Sequence, residues 1–257
     1  MSIVNYNVED RVAYITLNRP EKRNALNANM VTALKEAFEE GKNDELAKVI
    51  VLKAEGDVFC AGADLAYLQQ LQKNTYEENL ADSHHLKSLF HQIYTHPKIV
   101  IAKIQGHAIA GGCGLASVCD FSLASPETKF GYTEVRIGFI PAIVSLFLIR
   151  KIGEGKSREL LLSGELISAE DALSFGLINK VVPLDELDQT VGSLTQNLVE
   201  KNSAQSMALT KEMIANIQEM DMTEGLSYAA EMNAKARATE DCKKGMAAFL
   251  DKMKLNW

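Results

Sequence analysis

A single carboxylate, Glu134, stands in the otherwise largely apolar segment FGYTEVRIGFIPA (130–142). A carboxyl group that is buried among apolar side chains has a raised pKa and can act as an acid or a base near neutral pH. The alternative is a structural role, in which the charge lies at the start of a helix and complements the helix dipole. On the residues alone, both interpretations stay open.

Two stretches of small residues, FCAGADL (59–65) and GHAIAGGCGLASVCD (106–120), each follow a predicted buried strand and open a helix. Backbone N–H groups at such a point can hold a negative oxygen, and two of them from separate loops would form an oxyanion hole. Close packing of a helix on a strand explains the glycines equally well. Neither stretch has the pattern of a phosphate loop or of a dinucleotide-binding turn.

The five histidines offer little chemistry. His84, His85 and His91 are predicted to lie on the solvated side of a helix, and His96, which precedes a proline, is predicted to be exposed. His107 lies beside the second glycine stretch and is the one histidine kept as a site candidate. No nucleophile elbow is present, so a serine hydrolase receives little support.

Composition excludes several function classes. The chain has 257 residues, a net charge of −7 and no Lys/Arg run longer than two, so neither nucleic-acid binding nor attachment to a membrane is indicated. No apolar run reaches the length of a membrane span, and the N-terminus does not resemble a secretory signal. We expect a cytoplasmic protein without a metal site, with four reduced thiols: Cys60, Cys113, Cys119 and Cys242.

Hydrophobic periodicity predicts the α/β class, with a body of about 180 residues that carries an all-helical C-terminal section. The predicted strands are 3–8, 11–18, 47–54, 98–104, 119–125 and 177–182. The predicted helices are one capped by Asn27, 76–96, about 112–118, one capped by Ser168, 184–200, 203–217, 222–237 and 239–252.

Five motifs, taken together, resemble the enoyl-CoA hydratase/isomerase (crotonase) superfamily: LNRPEKRNALN (17–27), FCAGADL (59–65), GHAIAGGCGLASVCDF (106–121), FGYTEVRIGFIP (130–141) and GELISAEDALSFGLINKVV (164–182). The resemblance implies a crotonase-like spiral of ββα units over residues 1–195. A helical trimerisation section would follow over 196–257. It also implies an acyl-CoA thioester as substrate, no cofactor other than that coenzyme A, and a homotrimer or a dimer of trimers.

The resemblance also implies the roles of single residues. The backbone N–H groups of Ala63 and Gly111 would form the oxyanion hole, Glu134 would be the acid/base, and Gly114 would lie beside the reacting atoms. The residues that match the substrate and coenzyme A contacts are Lys22, Arg23, Ala25, Leu26, Ala61, Gly62, Asp64, Leu65, Gly112 and Pro141.

The subtype depends on Gly114, because typical hydratases of this superfamily carry a first glutamate there. One carboxylate suffices to move a proton between carbons, which favours a Δ3,Δ2-enoyl-CoA isomerase. The segment TEVRIGFIPAIVSLFLIRKIG (133–153), however, resembles bacterial 3-methylglutaconyl-CoA hydratases, so a hydratase is preferred, with water held by the neighbours of Gly114. Arg136, Lys103 and His107 are candidates for binding the extra carboxylate of that substrate. An RNA-binding or non-catalytic relative is a remote alternative.

Overall fold

The computed structural model describes residues 2–257, which form two sheets and ten α-helices within that range. The strands are β1 Val4–Glu9, β2 Val12–Leu17, β3 Val49–Ala54, β4 Ile99–Ile104, β5 Ala108–Ile109, β6 Phe121–Ala124, β7 Lys129–Gly131, β8 Ile167–Ser168 and β9 Lys180–Val181. The helices are α1 Ala28–Asn43, α2 Leu65–Leu71, α3 Tyr76–Tyr94, α4 Gly111–Val118, α5 Ala142–Ser163, α6 Ala169–Ser174, α7 Leu184–Lys201, α8 Ala204–Ile217, α9 Met222–Ala238 and α10 Glu240–Leu250.

The larger sheet has the strand order β1-β2-β3-β4-β6-β9, and only the β1–β2 pair is antiparallel. The smaller sheet has the order β5-β7-β8, with β5 and β7 parallel. Parallel neighbours require crossover connections, which the helices supply. The predicted α/β class is therefore confirmed.

The larger sheet is buried on both faces, as expected of parallel strands. Along β3, Ile50 and Leu52 join the main core cluster with α1, α3, α4 and α5, whereas Val49 and Val51 join a second cluster with α7. The alternation follows from the two-residue period of a strand.

Local signals set several boundaries where the sequence predicts them. The side chain of Asn27 accepts the N–H of Met30 and caps α1. Ser168 and Asp171 form a capping box at α6, and Gly176 follows that helix with a φ of 78°. The four C-terminal helices lie within a few residues of their predicted ranges.

Two predictions are corrected by the structure, and a third stays a prediction. His96 is 2% exposed rather than solvated, because its ring lies under the end of α1 and bonds to the backbone of Phe38 and Lys98. The predicted strand 177–182 is paired over Lys180–Val181 alone. The expected division after residue 195 falls inside α7, so the position of a domain boundary stays a prediction.

Candidate active site

The two loops of small residues contact each other directly. Cys60 and Ala108 form a parallel bridge, in which the Cys60 N–H donates to His107 O at 3.2 Å and the Ile109 N–H donates to Cys60 O at 3.0 Å. On its other side the first loop bridges to Leu26, whose N–H donates to Gly62 O at 2.7 Å and whose carbonyl oxygen accepts the Asp64 N–H at 2.8 Å. A Cβ built on Gly62 would lie 2.7 Å from Ala110 Cβ and 3.5 Å from Gly111 N. Only glycine allows this approach, and Gly62 also has a φ of 87°.

Two backbone donors are left free at this junction. Within residues 2–257, neither the Ala63 N–H nor the Gly111 N–H has a hydrogen-bond acceptor. Ala63 is exposed, and Gly111 is the first residue of α4, where the N–H groups have no partner inside the helix and the dipole is positive. The structure therefore leaves both predicted donors without a partner, and their joint role as an oxyanion hole stays a prediction.

Ala110 has a backbone conformation that sequence reasoning did not anticipate. Its φ of 51° and ψ of −122° are strained for a residue with a side chain. The conformation is held by the bond from the Ala110 N–H to Gly131 O at 2.7 Å, and it ends β5 and starts α4 within one residue. The strained turn thus fixes the orientation of the following Gly111 N–H.

Gly112 has a packing role. A Cβ built there would lie 2.8 Å from Cys60 Cβ and closer still to Cys60 O, so α4 packs directly on the first loop, residues 59–65. Close packing thus explains the glycine at 112, and the predicted binding role of this buried residue stays a prediction.

Glu134 lies at the same end of the smaller sheet as Gly111. Strands β5 and β7 are parallel, so Gly111, just after β5, and Glu134, just after β7, leave the sheet on the same side. The Glu134 carboxyl is half-buried, its Oε2 atom is buried without a hydrogen-bond partner, and burial raises its pKa. A carboxyl group in this condition is poised for proton transfer.

The space beside Gly114 is filled. A Cβ built on Gly114 would overlap Val144 Cγ1 and lie 2.8 Å from Phe90 Cε1. Neither a glutamate nor a water molecule fits on that side of α4. The expectation that the neighbours of Gly114 hold water is therefore corrected, because those neighbours are apolar and in van der Waals contact.

The predicted coenzyme A contacts fall into two groups. Lys22 and Arg23 are exposed and take part in no ion pair in the part of the chain that the structure describes, so both are available to phosphates. Leu65 is also accessible, with 73% of its surface exposed. The other predicted contacts are buried or half-buried: Ala25, Leu26, Ala61, Gly62 and Pro141.

Asp64 supports the first loop. Its carboxylate accepts the Ala66 N–H as the cap of α2 and pairs with Arg19 at 2.8 Å, at 9% exposure. Burial by itself raises its pKa, but these bonds outweigh burial and the pKa lies below its ordinary value. The structure thus gives Asp64 a structural role, and its predicted contact with the substrate stays a prediction.

Asn24 has a second structural role that was not predicted. Its buried side chain donates to Glu55 O and Val58 O and accepts the Arg19 N–H, so it ties the Lys22–Arg23 turn to the first loop. Asn24 has a φ of 54°, a left-handed conformation that asparagine tolerates better than most residues. Its residue type was the only signal in the sequence that could have indicated this turn.

The three candidates for binding a second substrate carboxylate are all engaged. Lys103 pairs with Asp188, on α7. His107 is exposed, and its Nδ1 atom accepts the Lys129 N–H at 3.2 Å. Arg136 pairs with Glu165 at 2.5 Å, and because both partners are largely exposed this pair contributes little and can be exchanged.

Comparisons with known proteins agree with this geometry. A profile of the family described as enoyl-CoA hydratase/isomerase matches residues 7–257. A protein of Thermus thermophilus is 40% identical over 94% of this chain and 95% of its own length. The crotonyl-CoA hydratase of Syntrophomonas wolfei is 34% identical over 97% of this chain and 95% of its own length. The crystal structure of an enoyl-CoA hydratase from Shewanella pealeana is 30% identical, with a TM-score of 0.94 over 100% of this chain and 96% of that one. The predicted crotonase-like fold is confirmed.

Proposed function

Because the chain belongs to the enoyl-CoA hydratase/isomerase family, we propose that its two free amide donors and Glu134 together add water to the double bond of a 2-enoyl-CoA thioester. The chain is a hydratase-type enzyme that acts on acyl-CoA. The observation that carries the proposal is the unpaired, half-buried Glu134 carboxyl at the same end of the smaller sheet as the Gly111 N–H.

Each group has one task in this mechanism. The thioester oxygen accepts hydrogen bonds from the Ala63 and Gly111 N–H groups, which stabilise the negative charge that develops there. The Glu134 carboxylate takes a proton from water while the water oxygen bonds to C3 and the π electrons move toward the thioester oxygen. The protonated carboxyl then returns its proton to C2. The raised pKa of Glu134 supports both halves of this cycle.

The substrate we favour is 3-methylglutaconyl-CoA. Support comes from the segment that runs from Glu134 to Ser145, whose pattern resembles hydratases of that ester. Arg136 lies two residues after Glu134, and a substrate carboxylate can compete with exposed Glu165 for its guanidinium group. This assignment would place the chain in the breakdown of leucine.

Isomerisation of a 3-enoyl-CoA is the second candidate. The observation in its favour is the filled space beside Gly114, which leaves Glu134 without a second carboxylate. A single carboxyl that takes a proton from C2 and returns it to C4 needs no bound water.

We further propose a homotrimer or a dimer of trimers, a cytoplasmic location and no cofactor besides the coenzyme A of the substrate. Exposed apolar side chains on the described surface support association, among them Ile137, Phe139 and Phe249. Four cysteines without disulfide partners support a reducing compartment. Among residues 2–257 no helix is both long and apolar enough to cross a bilayer.

Product analysis in heavy-oxygen water separates the two reactions. Purified protein is given 3-methylglutaconyl-CoA, crotonyl-CoA and a trans-3-enoyl-CoA, and incorporated label is measured by mass spectrometry. We expect label in the 3-hydroxyacyl products. Conversion of the 3-enoyl ester without label, and no hydration, would replace hydration with isomerisation.

Glu134→Gln tests the acid/base assignment. The amide keeps the shape but cannot exchange the proton, so we expect turnover to be lost while binding of butyryl-CoA, measured by calorimetry, persists. Glu127→Gln, an exposed glutamate before β7, is the matched control and should keep wild-type rates. Retained turnover in Glu134→Gln would remove Glu134 from the mechanism.

A further inference from the structure

One face of α4 leads from Gly111 toward a large cavity beside α8. Gly111 and Gly114 are three residues apart and therefore adjacent on one side of the helix. The next turn brings Ser117 and Val118, and both line a cavity of about 770 Å³. An acyl chain whose thioester oxygen accepts the Gly111 N–H, and which runs along α4, would pass Gly114 and then enter this cavity.

The cavity separates α8 from the body of the protein. Of the fourteen residues of α8, Lys211 and Ala215 alone are buried, because the inner side of the helix faces open space. Apolar side chains form much of the wall, including Ile99, Val118, Phe121, Leu198, Met207 and Ile214. A wall of this kind suits the methylene groups of an acyl chain.

Each of the four cations that line the cavity already has a hydrogen-bond partner, and for Lys201 it is the side-chain oxygen of Asn197. Lys151 Nζ donates to Ser117 O at 3.1 Å and to Cys119 O at 2.9 Å. Lys211 pairs with Asp120, and Arg150 pairs with Glu219. These bonds stabilise backbone carbonyls and helix contacts, so the cavity is better suited to an apolar occupant than to an anionic one.

Apolar side chains from α3 and α5 separate the cavity from Gly114. Val144 and Phe90 fill the space beside Gly114. Behind them, the Phe147 ring stacks on Phe90 with centroids 6.2 Å apart and meets Tyr94 at 5.2 Å. Phe147 and Tyr94 themselves line the cavity.

We propose that Val144, Phe90 and Phe147 form an apolar plug that ends the acyl pocket and restricts the enzyme to short acyl chains. The inference rests on the proposed function and adds a specificity determinant to it. A short acyl group, such as the five-carbon main chain of 3-methylglutaconyl-CoA, ends before the plug. A longer chain would collide with packed side chains, although space for it exists behind them.

The plug is tested by opening it. Val144→Ala, Phe147→Ala and the double variant are assayed for hydration of a series of trans-2-enoyl-CoA esters from butenoyl to dodecenoyl. We expect the ratio of kcat/KM for decenoyl-CoA to that for crotonyl-CoA to rise at least about tenfold in the double variant. Val191→Ala is the matched control, because Val191 and Val144 are both 4% exposed and Val191 lies in the other core cluster.

A second substitution locates the longer chain. Ala215→Phe, placed in the opened variant, fills the cavity from α8 and should remove the gain for decenoyl-CoA while leaving crotonyl-CoA unaffected. If the double variant does not fold, Phe147→Leu provides a milder opening and should change the ratio in the same direction. An unchanged ratio in a folded opened variant, or a wild-type preference for decenoyl-CoA, would overturn the plug.

A binding measurement separates this inference from the proposed reaction. Calorimetry with butyryl-CoA and dodecanoyl-CoA requires no turnover, and we expect the plug variants to gain affinity for the longer ester alone. If the wild type hydrates no enoyl-CoA, the proposed reaction fails, and the binding series still decides for or against the plug.

Discussion

The glycines of one fifteen-residue stretch meet different physical demands at successive positions. Gly111 presents an unpaired N–H at the positive end of α4, and Gly112 allows that helix to rest on Cys60. Gly114 makes room for Val144 and Phe90. Only the first of these demands concerns the reaction directly, although the three residues are identical in type.

Ala63→Pro tests the first donor of the oxyanion hole. Proline removes the free N–H, while the two ladder bonds of this bridge are made by Leu26 and Asp64 and remain possible. We expect kcat to fall by an amount that corresponds to roughly 2.7–4 kcal/mol of barrier. Steady-state kinetics with crotonyl-CoA measures the effect. Ala63→Ser keeps the N–H and should stay near the wild-type rate, and a proline variant within threefold of wild type would exclude this donor.

At the scale of elements, α4 is stabilised at both ends. Its N-terminus offers the Gly111 N–H, and at its C-terminus Lys151 bonds to the carbonyl groups of Ser117 and Cys119. A cation at that end complements the helix dipole, and burial lowers the pKa of this lysine. The helix is thereby held in the orientation that directs its positive end at the site.

The contact between α1 and the end of α3 depends on a neutral histidine. His96 Nδ1 accepts the Lys98 N–H at 3.0 Å, so its proton lies on Nε2 and is donated to Phe38 O at 3.1 Å. Burial, followed by the charge of Lys211, lowers the pKa of His96 to about 4. In a charged ring Nδ1 also carries a proton, so the Nδ1–H group and the Lys98 N–H would be two donors facing each other.

His96 predicts how stability depends on pH. The unfolded ring takes up a proton near pH 6.5, whereas the folded ring does so only near pH 4, so the unfolded state binds more protons between these values. The free energy of unfolding should fall by roughly 3 kcal/mol as the pH decreases through this window. Urea unfolding at pH 7 and pH 4 measures it, and His96→Gln should flatten the dependence. An equally steep dependence in the variant would assign the effect to other groups.

At the scale of the whole molecule, the C-terminal helices are anchored but not covered. The chain end is attached to the body by the bond from the Arg11 guanidinium to Trp257 O at 2.6 Å and from the Trp257 N–H to Glu200 O at 3.1 Å. In contrast, Phe249 and Leu250 of α10 are 80% and 73% exposed. Apolar surface of this kind is favourable only when another surface covers it.

Phe249→Asp tests the proposed association. If copies of the chain bury α10 between them, a carboxylate there would have to lose its water, so we expect a shift from trimer or hexamer toward monomer. Light scattering after size-exclusion chromatography measures the mass. Lys252→Asp, an exposed position just after α10, is the control and should leave the assembly intact. A wild-type monomer would contradict the proposal.

The sequence by itself determined the elements and the family. The apolar run of β3, the cap at Asn27 and the capping box at Ser168 are local signals, and local signals are readable in the order of residues. The five motifs identified the loops that meet at Ala63 and Gly111, and singled out Glu134, before any contact was known.

The tertiary structure decided what depends on residues distant in the chain. The burial of His96 results from α1, some sixty residues earlier, and the strain at Ala110 from its bond to Gly131. The apolar filling beside Gly114 comes from Phe90 and Val144, on two other helices. None of these has a local pattern, because the partner that fixes each conformation is brought into contact only when the sheets and helices have packed.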